Sequence, residues 1–442
     1  MRSAGPGRDE ELAAAIGVVF ERACPPNEPG VAAIVARNGQ VIFRRGYGLA
    51  NVELGVPITP ELLFRIGSVT KQFTAVAILM LAEDGMLSLD DDLTRFLPDY
   101  PIRGQTITVE HLLTHTSGIK SYTSLPDWPS LWRKDLTIDE LVGLFKDQPP
   151  DFAPGERFLY NNSGYILLGA IVEWVSGQSY EQFLTERIFG PAGMARTCYD
   201  QTARIIHGRV SGYEQDKDGL VNAPYLSMTQ PFAAGGLLSS VDDLLRWDEA
   251  LHGDRLVSAA TLERALTSAR LNDGTPTGYG YGWAIVDDEG HRVIEHSGGI
   301  HGFRSHALRL PDEHVFVAVL ANGTSENLAP LPLAVKAARL TIGQPYQDPA
   351  EVALEPAVHD AYVGDYRGAG GDHKAISRDG DHLFIRWANG TRLEIRPTSP
   401  TEFFVKGDVF TRLRFSSRAH DGAVVLTIQG RSGPATVATR EV

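Results

Sequence analysis

Apolar residues recur along this chain at helical spacing in some stretches and as strand-like runs in others, and each change marks a change of element. Between Asp9 and Cys24 they fall at helical spacing and predict an amphipathic helix. The runs Gly30 to Gly39 and Gln40 to Ala50 predict two strands joined at Asn38-Gly39, a dipeptide suited to a tight hairpin turn. Phe64-Arg65-Ile66 is extended. From Lys71 onward Phe73, Val76, Ala77, Met80 and Leu81 repeat at helical spacing until Gly85 ends the run, so Ser68 stands where strand gives way to a helix with one buried stripe. Helical patterns dominate from Leu87 to about Asn222, broken at Thr116-Ser117-Gly118 and Gln148-Pro149-Pro150-Asp151, and predict an all-helical subdomain. Ser240 is placed to cap a helix from Val241 to about Gly253, with Asp243 three residues on as reciprocal cap. Strands are then expected at Gly280 to Val286, Arg292 to His296, Phe303 to Leu310 and Val315 to Leu320, and a last helix at Leu328 to Ile342.

After Gly343-Gln344-Pro345 the texture changes. Short alternating runs at Ala361 to Arg367, His373 to Arg378, His382 to Ala388, Thr391 to Arg396, Glu402 to Lys406, Phe410 to Phe415, Ala423 to Gln429 and Pro434 to Thr439 predict eight strands of a small up-and-down barrel, since closure removes exposed edges. Phe384, Trp387, Phe403, Phe404 and Phe410 are expected in its core. The expected organisation is residues 1–345 as one domain, 346–354 as a linker and 355–442 as the barrel. The fold class is α/β (α+β): an antiparallel sheet flanked by helices with a helical subdomain, plus the barrel.

Composition narrows the function. A formal charge of −14 with no basic stripe argues against a nucleic-acid partner. The apolar stretches Ala75 to Ala82 and Val315 to Ala321 fall well short of the ~20 residues a membrane helix needs, so no spanning segment is expected. Met1-Arg2-Ser3-Ala4-Gly5 leads into acidic residues with no clean cleavage pattern, which gives a cytoplasmic expectation, or a periplasmic or secreted one if a leader has been removed. Cys24 and Cys198 are too few for a disulfide framework. His111 and His115 stand four apart without a third ligand, so no metal or cofactor is expected.

Ser68 and Lys71 carry the candidate chemistry. Three residues apart on a helix, a hydroxyl and an amine share one face, and the orphan N–H groups of the helix start favour negative charge beside the serine. Two further stretches accompany them: Phe158-Leu159-Tyr160-Asn161-Asn162-Ser163-Gly164 and Glu295-His296-Ser297-Gly298-Gly299.

Together Ser68-Val69-Thr70-Lys71, Tyr160-Asn161-Asn162 and His296-Ser297-Gly298 resemble the three-motif signature of the serine penicillin-recognising enzymes. The phrases Leu112-Leu113-Thr114-His115-Thr116-Ser117-Gly118, Gly235-Gly236-Leu237-Leu238-Ser239-Ser240 and Gly299-Ile300-His301-Gly302-Phe303 are similar to that group as well, over roughly residues 10 to 342. The resemblance implies a β-lactamase/transpeptidase-like fold with Ser68 as nucleophile and Lys71 and Tyr160 as proton carriers, either of which could be the base. It implies that Asn162 hydrogen-bonds both Lys71 and a substrate amide, that His296, Ser297 and Gly298 flank the cleft, and that the N–H groups of Ser68 and Gly299 form the oxyanion hole. His296 stands where many relatives carry lysine, which weakens a substrate-carboxylate anchor. The appended barrel resembles D-aminopeptidase-like members. The expected function is a metal-free serine hydrolase acting through an acyl-enzyme on a small-molecule or short-peptide substrate, an amide, D-amino-acid peptide or ester. The alternatives are a carboxylesterase with weak β-lactam turnover and a ligand sensor without turnover.

Overall fold

The computed structural model describes residues 6–253, 255–368, 373–387, 390, 392–418, 422–431 and 435–441. The expected strand ends at Ala388, Thr391 and Pro434, and the stretch Met1 to Gly5, lie outside the described residues. The chain divides into two compact units, Met1–Gln344 and Pro345–Val442.

The first unit is built on an antiparallel sheet whose strands are β1 (Val31–Arg37), β2 (Gln40–Tyr47), β3 (Ala284–Asp288), β4 (His291–Ile300), β5 (Phe303–Leu310) and β6 (Val315–Ala321), in spatial order β3-β4-β5-β6-β1-β2. The hairpin β1–β2 turns at Asn38 and Gly39, both at positive φ (52° and 73°), as that dipeptide predicts. The first six residues of β1 and all of β6 are buried. Their near-continuous apolar composition follows from burial on both faces. Helices α1 (Pro6–Ala23) and α5 (Pro330–Thr341) pack against each other and the sheet, while α4 (Val241–Leu251) covers β1 and β6.

Between them runs α2 (Thr70–Glu83), which packs on α3 (Asn162–Ser176). A single buried stripe was the expectation for α2; instead every residue from Thr70 to Leu81 is buried, because α2 is enclosed by other elements on all sides. Ser68 is not its cap but sits in a 3₁₀ turn, Gly67–Val69, that leads into the helix. Ser240 caps α4 as expected, accepting from Asp243 N at 3.2 Å. The reciprocal half of that cap is absent: the Asp243 carboxylate instead accepts from Arg196 N, Thr197 N and the Thr197 hydroxyl.

The expected helical subdomain is only partly helical. Beyond α3 it consists of short helices such as Val109–Leu113, Ile138–Gly143 and Tyr180–Leu184, single 3₁₀ turns, and a hairpin of Tyr213–Asp216 with Gly219–Asn222. Likewise β3 begins at Ala284, not Gly280, because Gly282 takes φ +89° and interrupts the extended run. In contrast β4 continues to Ile300, well past the expected His296, and so carries the whole His-Ser-Gly-Gly stretch.

The second unit is a closed eight-stranded antiparallel barrel, β7 (Gly364–Gly368), β8 (His373–Asp379), β9 (His382–Trp387), β10 (Arg392–Pro397), β11 (Glu402–Val405), β12 (Asp408–Ser417), β13 (Val424–Gln429) and β14 (Thr436–Arg440). A short helix, Pro356–Asp360, precedes it, which delays β7 to Gly364. Its core is Tyr366, Ile376, Leu383, Ile385, Ile395, Phe403, Val405, Leu413, Phe415, Leu426, Ile428 and Ala438. Phe403 is there as expected. Phe384 is not, since strand alternation turns Leu383 and Ile385 inward and leaves Phe384 half-buried, its ring 3.7 Å from the Arg392 guanidinium carbon. Trp387 lies partly buried at the edge of the core, and Phe404 and Phe410 are buried outside it. No helix among the described residues is long and apolar enough to cross a membrane.

Candidate active site

Three chain segments meet at Ser68. The strand Phe64–Arg65 pairs with Leu237–Ser239, and Ile66 N donates to Leu237 O at 3.0 Å, so the Gly-Gly-Leu-Leu phrase lies alongside the approach to the serine. Gly67 then takes φ +48°, a left-handed conformation that glycine tolerates, and a methyl group built on it would fall 2.9 Å from Gly299 N. A methyl on Gly298 would fall 2.0 Å from the Ile66 carbonyl oxygen. The two glycines thus let β4 lie directly against the serine turn and bring the backbone of Gly299 next to that of Ser68.

Lys71 is completely buried on the first turn of α2. Its Nζ lies 3.0 Å from Ser68 Oγ, 2.9 Å from Asn162 Oδ1 and 2.8 Å from the Ala234 carbonyl oxygen. Asn162 Oδ1 and Ala234 O only accept, so they take two N–H groups whether the side chain is an amine or an ammonium. The third position faces the serine. As an amine, Lys71 would offer its lone pair to the Ser68 hydroxyl. Burial pushes the lysine well below its ordinary pKa, because a charge there would have lost its water.

Tyr160 ends the extended segment before α3, and Asn161 caps that helix by accepting from Gly164 N at 3.1 Å. The Ser68 hydroxyl lies near enough to the Tyr160 phenol to lower it, and Lys71 Nζ lies 4.8 Å from the centre of its ring. Although 37% of the residue is exposed, His115, Tyr279 and His296 close around the ring, and burial of the hydroxyl raises the phenol above its usual value, partly offset by the nearby Ser68 hydroxyl. Asn162 completes the triangle, its Nδ2 donating to Thr123 Oγ1 at 3.1 Å.

Four of the expected residues therefore meet: Ser68, Lys71, Tyr160 and Asn162. Gly299 joins them through its backbone, and Ser68, Asn162 and Gly299 share one cleft of ≈ 430 Å³. His296 and Ser297 are occupied elsewhere. Ser297 Oγ is 2.8 Å from His306 Nδ1. His296 is buried, with Nδ1 2.6 Å from the Ser297 carbonyl oxygen and Nε2 2.8 Å from the Tyr279 hydroxyl. A carbonyl only accepts, so Nδ1 carries the hydrogen and Nε2 accepts from Tyr279. Burial, with the nearby Lys71 adding to it, lowers this imidazole to about 3. It is neutral, and both nitrogens are committed to the protein.

The histidines considered as a metal pair have separate tasks. His111 Nδ1 accepts from Thr108 N in a reciprocal helix cap, and His115 Nδ1 accepts from Asn161 N at 3.1 Å, which holds the chain just after Tyr160. Tyr279 and the Ala234 carbonyl were missed by sequence reasoning. Tyr279 lies in the glycine-rich phrase Gly278-Tyr279-Gly280-Tyr281-Gly282, the one signal that pointed to it; a main-chain carbonyl has no residue signature at all.

A serine turn set against an antiparallel sheet on one side and helices on the other, with a buried lysine one turn on and a tyrosine from the helical region, defines the serine penicillin-recognising fold class. Residues 21–339 match the family described as Beta-lactamase, so the chain belongs to that family and is a hydrolase of that fold. Penicillin-binding protein 4* of Bacillus subtilis (strain 168) is 31% identical over 402 residues, which cover 84% of this chain and 87% of the relative. Among solved structures, the octameric penicillin-binding protein homologue from Pyrococcus abyssi superposes with a TM-score of 0.69 at 29% identity, covering 97% of this chain and 99% of that one. The D-amino acid amidase from Ochrobactrum anthropi SV3 superposes with a TM-score of 0.66 at 25% identity, covering 75% of this chain and 99% of the amidase.

Proposed function

We propose that the protein is a serine hydrolase that cleaves small amides, D-amino-acid peptides or esters through an acyl-enzyme on Ser68. The observation that carries this reading is the fully buried Lys71, bonded at once to Ser68, Asn162 and Ala234. The likeness to the D-amino acid amidase supports amide substrates.

The directions of the two pKa shifts favour one division of labour. Lys71 lowered and Tyr160 raised leave a neutral amine and a neutral phenol in the resting site. Lys71 then takes the Ser68 proton as Oγ attacks the substrate carbonyl, and the oxyanion forms against the N–H groups of Ser68 and Gly299. Tyr160 gives its proton to the leaving amine or alkoxide and is reprotonated from the Lys71 ammonium. The C–N or C–O bond breaks, the acyl group stays on Ser68, and water attacks by the reverse proton path to release the acid.

Incubation with a fluorophosphonate, followed by intact-mass and peptide analysis, is expected to place one adduct on Ser68. Ser68→Ala is expected to lose the adduct and the turnover of D-alanyl amides and p-nitrophenyl esters while keeping the wild-type melting profile. Turnover retained by Ser68→Ala would exclude the mechanism.

A further inference from the structure

The cleft beside Ser68 is larger than a single small residue needs, and its ≈ 430 Å³ suits a ligand of several residues. Ser68, Asn162 and Gly299 line it, whereas Tyr160, His296 and Ser297 do not. Under the proton path proposed above, the leaving group must sit over Tyr160. The cleft, whose lining does not include Tyr160, is consequently assigned to the acyl half of the substrate.

Two charged residues line that acyl side, Arg304 and Glu214. Arg304 stands on β5 in register with Gly299, so it is tied to the backbone group that would hold the oxyanion. Glu214 comes from the hairpin Tyr213–Asp216/Gly219–Asn222, and its Oε1 accepts from Gly302 N at 3.2 Å in the turn between β4 and β5. Both residues are half-buried. Burial lowers the Arg304 guanidinium below its ordinary value, and the charges of Glu326 and Glu214 only partly offset that. Among the described residues the Arg304 guanidinium nevertheless makes no hydrogen bond or ion pair, although it has five N–H donors. An arginine retained only as surface charge would gain by closing onto the neighbouring carboxylate. Here the opposite charges face one cleft, felt by each other but not joined.

We propose that Arg304 and Glu214 form a subsite for a zwitterionic amino-acid head group carried by the acyl half, the carboxylate on Arg304 and the ammonium on Glu214. This rests on Ser68 being the acylated nucleophile. The acyl donor is then an amino acid linked through its side-chain carboxyl, or a peptide ending in such a unit. Either charge alone leaves one protein charge unmatched in a partly desolvated site, so each single-charge analogue is worse than the zwitterion.

The test uses five p-nitroanilides of four acyl donors on one skeleton: γ-glutamyl in both enantiomers, glutaryl, 4-aminobutyryl and butyryl, together with the set one methylene longer. In the wild-type protein kcat/KM is expected to favour the zwitterion by about 10-fold over each singly charged donor, the size of one charge-assisted hydrogen bond. Arg304→Gln is expected to erase the advantage of γ-glutamyl over 4-aminobutyryl, and Glu214→Gln its advantage over glutaryl. Equal losses on all four donors would mark both residues as structural and overturn the subsite, as would a wild-type protein indifferent to the charges. Equilibrium binding of the same anilides to Ser68→Ala separates the two ideas. The predicted order of affinity without wild-type turnover would sink the serine chemistry and keep the subsite, and affinities without order would sink the subsite.

Discussion

Burying His296 as a neutral ring should make the first unit acid-sensitive, and the effect can be sized. Free histidine has a pKa of 6.5, and burial lowers this one to about 3. Between those values the unfolded chain binds a proton that the folded chain refuses, so stability is complete above about pH 6.5 and is lost as pH falls towards 3. For one such group the loss between about pH 8 and pH 5 is ~2 kcal/mol, from RT ln(1 + 10^1.5). His296→Gln removes the titration. Its amide can still accept from Tyr279 or donate to the Ser297 carbonyl, in place of the two bonds at 2.8 and 2.6 Å. The variant is expected to be less stable than wild type near pH 8, having lost part of that pair of bonds, yet to lose ~2 kcal/mol less on acidification. Other buried histidines, His115 among them, are also lowered by burial, and His296 itself adds to the His115 shift, so the difference between the two pH responses reports position 296 together with its coupling to His115. Urea unfolding followed by tryptophan fluorescence is the assay. Trp128, Trp132, Trp174, Trp247 and Trp283 belong to the first unit and only Trp387 to the barrel, so the signal follows the right domain. Identical acid responses of the two proteins, within about 0.5 kcal/mol, would refute the assignment of a neutral, doubly bonded His296.

Lys71→Ala should slow acylation by roughly 10²- to 10⁴-fold, measured as the burst rate on an activated ester; a near wild-type burst would remove Lys71 from the role of base. Because that amine is lowered well below 10.5, the acid limb of kcat/KM should fall far below that value, and Lys71→Arg, whose guanidinium stays protonated, should be inactive across the whole range. Gly298→Ala drives a methyl into the Ile66 carbonyl oxygen at 2.0 Å and Ser305 Oγ at 2.3 Å; a loss of ~1–3 kcal/mol in stability and a drop in kcat are expected, the second because Gly299 N–H is displaced with the strand. A chain ending at Gln344 should fold with a cooperative melt, since each unit has its own apolar core; aggregation of that fragment in native buffer would contradict the division.

Local signals were enough for the elements whose causes are local. The Asn38-Gly39 turn, the doubly buried β1 and β6 and the Ser240 cap each depend on residues within a few positions of one another, so they were legible before any fold was known. The eight strands of the barrel were legible for the same reason, because alternation and turn residues act over short distances. The motif set around Ser68, Lys71, Tyr160 and Asn162 was recognisable as a pattern, but the pattern carried no distances. Those distances come from packing: α2 enclosed on every side, and β4 brought against the serine turn at Gly67 and Gly298. Packing also decided what the pattern left open. Whether Lys71 is an amine, whether His296 faces substrate or Tyr279, and whether Phe384 points into the barrel all depend on which groups exclude water from them. Charge state and side-chain partner are set by the total surroundings of an atom, which distant segments supply. Helix, strand and turn are set by neighbours in the chain, which the amino-acid order displays directly.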